Sequence, residues 1–146
     1  MAGAFVLALL WPSEQANAQI AIVVHRSSPM TVATTEELRR IFLGTTKTFS
    51  DGTQVTVLET PGLRDQFYKA LLGMSEAQVK RRWIQLVFAG ETATPPVQFT
   101  DEVEARRYVA SHPGSIAFIT LGMVDATVKS VQVVGNPPAS SSHKLR

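Results

Sequence analysis

Cysteine is absent from the 146 residues, which removes disulfides, thiolate nucleophiles, zinc ribbons and iron–sulfur ligation at once. The fold must stand on packing alone. No apolar run reaches the roughly twenty residues that a membrane-spanning helix needs; the N-terminal run is about half that. Charge of one sign is scarce too. The 14 Lys+Arg against 12 Asp+Glu leave +2 over the whole chain with His neutral, far short of the basic stripe that neutralises nucleic-acid phosphates. There are only three histidines, and no G-x-G-x-x-G, no Walker-type glycine loop and no H-E-x-x-H pair. Nucleotide and zinc-protease chemistry have no support. What remains is an ordinary globular composition, 45% hydrophobic and 18% charged, with length for one core and no second domain.

The N-terminal stretch Met1 to Trp11 reads MAGAFVLALLW. Pro12, the polar Ser13-Glu14-Gln15 and then Ala16-Asn17-Ala18 follow, a small-x-small cleavage site at the right distance from the apolar run. Residues 1–18 are therefore expected to be a signal peptide, and the mature product is expected in a bacterial periplasm without a lipid anchor. No Lys or Arg precedes the run, so the start codon is expected upstream; a buried N-terminal helix is the alternative. Residues 19–135 form the expected domain, and 136–146 (NPPASSSHKLR) an expected disordered tail.

Within the domain, strand and helix patterns alternate. Ile20 to Val24 is a short β-branched run suited to a strand buried on both faces. Thr34 with Glu37 makes a capping box for a helix whose Leu38, Ile41 and Phe42 recur at helical spacing as far as Gly44. After the Asp51-Gly52 turn, Gln54 to Glu59 alternates as a strand. Leu63, Phe67, Ala70 and Leu71 then share one face of a helix that Gly73 ends. Ser75 with Gln78 caps the next, with Val79, Trp83, Leu86 and Val87 expected inward. Glu91 to Phe99 reads as a loop, and Thr100 is expected to cap a helix burying Ala105, Tyr108, Val109 and His112. Ser115 to Ile119 and Thr127 to Val134 complete the pattern as strands. The order predicts an α/β fold: three layers, a mostly parallel sheet with helices on both faces.

Catalytic chemistry finds little footing. His25 closes a strand, His112 sits in a last helical turn, and His143 lies in the tail, none beside a nucleophile. The pairs Glu36-Glu37 and Asp101-Glu102 occupy first helical turns, where negative charge is stabilising for local reasons. Lys80-Arg81-Arg82 and Arg106-Arg107 read as solvated helix faces. No cofactor or metal is expected.

One segment carries chemistry. At Glu59-Thr60-Pro61-Gly62-Leu63-Arg64 a strand ends, turns and opens a helix, which aims backbone N–H groups and a helix dipole at one spot. Arg64 can add a bidentate fork for phosphate, sulfate or carboxylate, or pair on the surface with Glu59 or Asp65. Thr45-Thr46 are placed, as an expectation, at the same edge of the sheet.

Several blocks also occur in series: Leu38 to Gly44 (LRRIFLG), Phe49-Ser50-Asp51-Gly52, Leu63 to Phe67 (LRDQF), Trp83, and His112 to Ile119 (HPGSIAFI). Over roughly 20–135 this series resembles the phosphate-binding substrate-binding proteins of phosphate ABC transporters, in particular their short relatives with one lobe. The resemblance implies a single lobe of a periplasmic-binding-protein fold, no catalysis, and a small oxyanion, phosphate above all, bound in connection with ABC-type uptake. It implies ligand contacts at Thr60, Gly62, Leu63 and Arg64, with an ABC transporter permease or another envelope protein as partner. Full-length members hold phosphate between two lobes with a Ser-Gly-Thr turn preceded by an arginine. Here the turn is Thr60-Pro61-Gly62-Leu63 and Glu59 stands near that arginine's place. The family's late Gly-Tyr is Ala117-Phe118. The second expectation is accordingly a single-lobe interaction module in the cell envelope that has lost ligand binding.

Overall fold

The computed structural model describes residues 19–91 and 94–135. The expected signal peptide and tail lie outside the described residues. Strand β1 (Ile20–Val24) and the short β2 (Val32–Thr34) lead into helix α1 (Thr35–Phe42). Then come β3 (Thr56–Glu59), α2 (Pro61–Leu72), α3 (Glu76–Phe88), β4 (Val97–Gln98) and α4 (Glu102–Ser111). The chain finishes with β5 (Ser115–Thr120), a 3₁₀ turn at Leu121–Met123, β6 (Lys129–Ser130) and β7 (Gln132–Val134).

Both expected capping boxes form. Thr34 accepts from the Glu37 N–H at 3.0 Å while Glu37 accepts from the Thr34 N–H at 2.8 Å. Ser75 and Gln78 do the same for α3 at 3.2 and 2.8 Å. Each box satisfies two donors that a helix start otherwise leaves unpaired, so it fixes where the helix begins.

The main sheet has the order β4-β3-β5-β1-β6. Its β3 pairs parallel with β4 and β5, while β1 runs antiparallel to both β5 and β6. Four of the five strands thus point one way and β1 runs against them, a mostly parallel sheet. The small β2–β7 pair, also parallel, stands apart.

Alternation along the strands builds two cores. Ile22, Val24, Val57, Ile116 and Phe118 face one side, under α1, α2 and α3; Val23, Leu58, Ala117 and Ile119 face the other, under α4. The period of two follows from the pleat, and it makes the predicted three layers. At the centre of the larger core Phe67 stacks on Phe118 with ring centroids 4.1 Å apart, and Phe42 meets Phe67 edge-on at 4.9 Å. Burying each such ring contributes about 1.5–3 kcal/mol.

Several local expectations change in the folded chain. Asp101, not Thr100, caps α4: its carboxylate accepts from the Glu104 N–H at 2.8 Å, and Thr100 instead donates to the Glu104 side chain. Ala105 and Val109 are buried as expected, but Tyr108 is half-buried and His112 is exposed, stacked on Tyr108 at 3.6 Å. Val87, expected inward, is half-exposed and lines a groove instead of the core. The expected final strand is split: Val131 turns into the core, and β6 and β7 join different sheets. The expected loop at 91–99 holds β4, whose two residues pair with β3.

Candidate functional site

The parallel strands β3, β4 and β5 end at Glu59, Gln98 and Thr120, and helices α2 and α4 open just beyond the first two. In open α/β sheets this edge, with its helix N-termini, is where ligands sit. The four residues expected to contact a ligand gather at the start of α2 and play different roles. Thr60 is buried and its hydroxyl turns to the Phe118 carbonyl at 3.5 Å rather than capping the helix. Gly62 is exposed, with open space where a Cβ would stand. Leu63 is buried in the larger core, so only its backbone can face a ligand. Its N–H is engaged with the Thr60 carbonyl at 3.1 Å, and Pro61 has none to offer.

Arg64 is held inside the protein. One terminal nitrogen donates to the Gln98 side-chain oxygen at 2.6 Å and lies 3.5 Å from Glu59, and the other reaches Glu76 at 3.4 Å. The alternative pairing with Glu59 is present, and Glu76 takes the place expected of Asp65. Asp65 itself pairs with Lys69 at 3.0 Å. The Arg64 Nε is buried without an acceptor among the described residues.

Glu59 is the centre of this cluster. It is 6% exposed, and its carboxylate accepts from the Tyr68 hydroxyl, from the Gln98 amide at 2.7 Å and faces Arg64. A buried carboxylate survives only when so provided. Burial first, and then the negative charge of Glu59, push the Tyr68 hydroxyl far above its ordinary pKa, so it stays a donor. Two carboxylates therefore flank one guanidinium. A carboxylate is held in a similar way where α4 opens: Glu102 accepts from the Thr120 N–H at 2.6 Å and hydroxyl at 2.9 Å.

Beside the cluster opens a groove of about 890 Å³, lined at one end by Glu59, Arg64, Glu76 and Gln98 and along its walls by Trp83, Ile84, Val87, Phe88, Pro95 and Pro96. Its volume is that of small-molecule sites. Tyr68, Glu76 and Gln98 were not singled out from the sequence. Tyr68 had a signal, since it stands four residues after Arg64 on one helix and so shares its face. Gln98 had none, because it reaches Glu59 across 39 residues by strand pairing.

Thr45 and Thr46 do not join the site. They lie beyond α1 next to Lys47, whose carbonyl pairs with Val55 at the opening of β3, the opposite end of that strand from Glu59. Among the described residues no group of three His, Asp or Glu side chains is placed to hold a metal ion, and no helix is long and apolar enough to cross a membrane.

Solved structures share this architecture. The chain superposes on a putative phosphate ABC transporter substrate-binding protein with bound phosphate from Clostridium perfringens with a TM-score of 0.65 and 18% identity, covering 88% of this chain and 51% of that one. The chain shares its fold with about half of that protein. A possible phosphate binding protein from Planctomyces limnophilus gives 0.62 at 12% identity, over 88% of this chain and 49% of that one. An ABC-type phosphate transport receptor from Vibrio cholerae gives 0.55 at 19% identity, over 87% and 52%. The chain thus spans about half the length of these proteins, as a single lobe does. No protein-family model and no curated protein matches the chain.

Proposed function

We propose that this chain is an exported, non-catalytic binding lobe of the phosphate-receptor type, taking a small oxyanion, phosphate first, in ABC-type uptake. The observation that carries the reading is the shared fold with the phosphate-bound Clostridium perfringens protein. The anion is assigned to the start of α2, where Gly62 leaves backbone exposed and Arg64 supplies the cation. Export to the periplasm rests on the pattern of residues 1–18, and the partner on that side is a permease or another envelope protein.

A second reading has its own support in the cluster around Arg64. With Glu59 and Glu76 on either side, an incoming oxyanion must displace or oppose carboxylates already in place. A lobe in that condition serves as an envelope interaction module that has lost its ligand, presenting helix faces such as Lys80 to Arg82.

Thermal unfolding in phosphate-free buffer, with and without millimolar phosphate and with sulfate and chloride as controls, separates the two. Phosphate at 100 times its dissociation constant adds about 2.7 kcal/mol, which raises the midpoint of a domain this size by several degrees. A phosphate-specific rise supports the binding lobe. No shift with any anion favours the interaction module.

A further inference from the structure

Helix α3 spends one face on the core and leaves another uncovered. Val79 and Trp83 are buried, while Ile84, Val87 and Phe88 are 45%, 50% and 86% exposed. Three large apolar side chains within two turns form a patch, and one of them is a phenylalanine standing almost wholly in water. The groove of about 890 Å³ runs along the same helix, lined by its Ala77, Lys80, Ile84, Val87 and Phe88 and by Pro95 and Pro96, and it adjoins the Glu76 and Arg64 cluster. The exposed Phe88 ring thus stands in the wall of the groove, about three helical turns along α3 from Ala77.

A single partner that supplies both a hollow for Phe88 and a knob for the groove is another copy of the same surface. A two-fold axis matches such a surface to itself, residue i meeting j while j meets i. We propose that the chain pairs with a second copy of itself through antiparallel contact of α3. Phe88 of each copy enters the other's groove beside Ala77 and Lys80.

The charges agree with that orientation. Lys80 is exposed and has no ion-pair partner among the described residues. Glu91, just past the end of α3, is half-exposed, 3.6 Å from Lys47. Antiparallel pairing about Ile84 brings Glu91 of one copy within a turn of Lys80 of the other, and sets that ammonium over the incoming Phe88 ring. Parallel pairing would instead set Lys80 against Lys80.

Sedimentation velocity of the purified chain over about 1–100 μM tests the pairing. The wild type is expected to run at the mass of two chains at the upper end of that range. Phe88→Asp is expected to run as one chain throughout, and at about 1 μM, where wild type is also single, its unfolding midpoint should not fall because the ring is 86% exposed. Ile84→Asp is the second variant. Lys80→Glu and Glu91→Lys should each weaken the pair by roughly tenfold, and the two together should restore it. A wild type that stays single at about 100 μM, a Phe88→Asp protein that still pairs, or a charge swap that fails to restore pairing overturns the proposal. The sedimentation runs are made in phosphate-free buffer, so pairing is read without the anion even though the paired groove adjoins Arg64.

Discussion

The Tyr68 hydroxyl donates to the Glu59 carboxylate from the same helix face that carries Arg64, so one helix supplies both a neutral and a charged partner to a single buried acid. That acid ends the strand leading into the helix. The start of α2 is thereby built around an internal anion, and any ligand there meets an Arg64 whose terminal nitrogens are already engaged.

Tyr68→Phe removes one donor from Glu59 and keeps the ring. Urea unfolding should show a loss of about 1–3 kcal/mol, the cost of leaving a buried acceptor short of a partner. A neutral substitution would mean that Gln98 and Arg64 alone satisfy the acid. The same variant should change the alkaline limb. The Tyr68 pKa is raised by folding, so its contribution is fully present below the ordinary value of 10.0 and is lost as pH climbs above it. Wild-type stability should fall more steeply above pH 10 than that of the variant.

Arg64→Ala should abolish any phosphate-specific rise in the unfolding midpoint. It should also cost about 1–3 kcal/mol, because the buried Glu59 carboxyl loses the guanidinium beside it. An undiminished phosphate response in a folded variant would remove Arg64 from the site.

Gly114 sits at φ +95°, and a Cβ there would run into the Gln54 carbonyl. Gly114→Ala should therefore destabilise by about 1–3 kcal/mol, as measured by denaturant midpoint. Gly122, with open space around it and no positive φ, is the control: its Ala variant should stay within about 0.5 kcal/mol.

The elements with strong local chemistry were legible in advance. β1, α1, β3, α2, α3 and β5 were read within a few residues of their ends, because capping boxes, Gly-terminated helices and β-branched runs act over one or two turns of chain. β4 was not. Its two residues follow Pro95-Pro96 and are extended because β3 offers them hydrogen bonds, a condition no local window contains. The inward assignment of His112 failed for a related reason. Helical spacing marks a face, but His112 is the C-cap of α4 with an extended backbone (φ −129°), so its ring leaves that face and stacks on Tyr108.

The candidate site divides the same way. Pro61, Gly62 and Arg64 announced a strand-to-helix junction with a cation in its first turn, and an α2 begins there. Local sequence dictates that junction because Pro61 fixes φ in a first helical turn and has no N–H to leave unpaired there. Which groups surround Arg64 is a different kind of question. Glu76 arrives when α3 crosses α2, and Gln98 arrives when β4 pairs with β3. These partners come from distant parts of the chain, and electrostatics depends on distance in space rather than along it. So the amino-acid order was enough for the caps, the alternating strands and the two-sided core. The engagement of Arg64, the burial of Glu59 and the exposure of Phe88 became settled only when the layers packed.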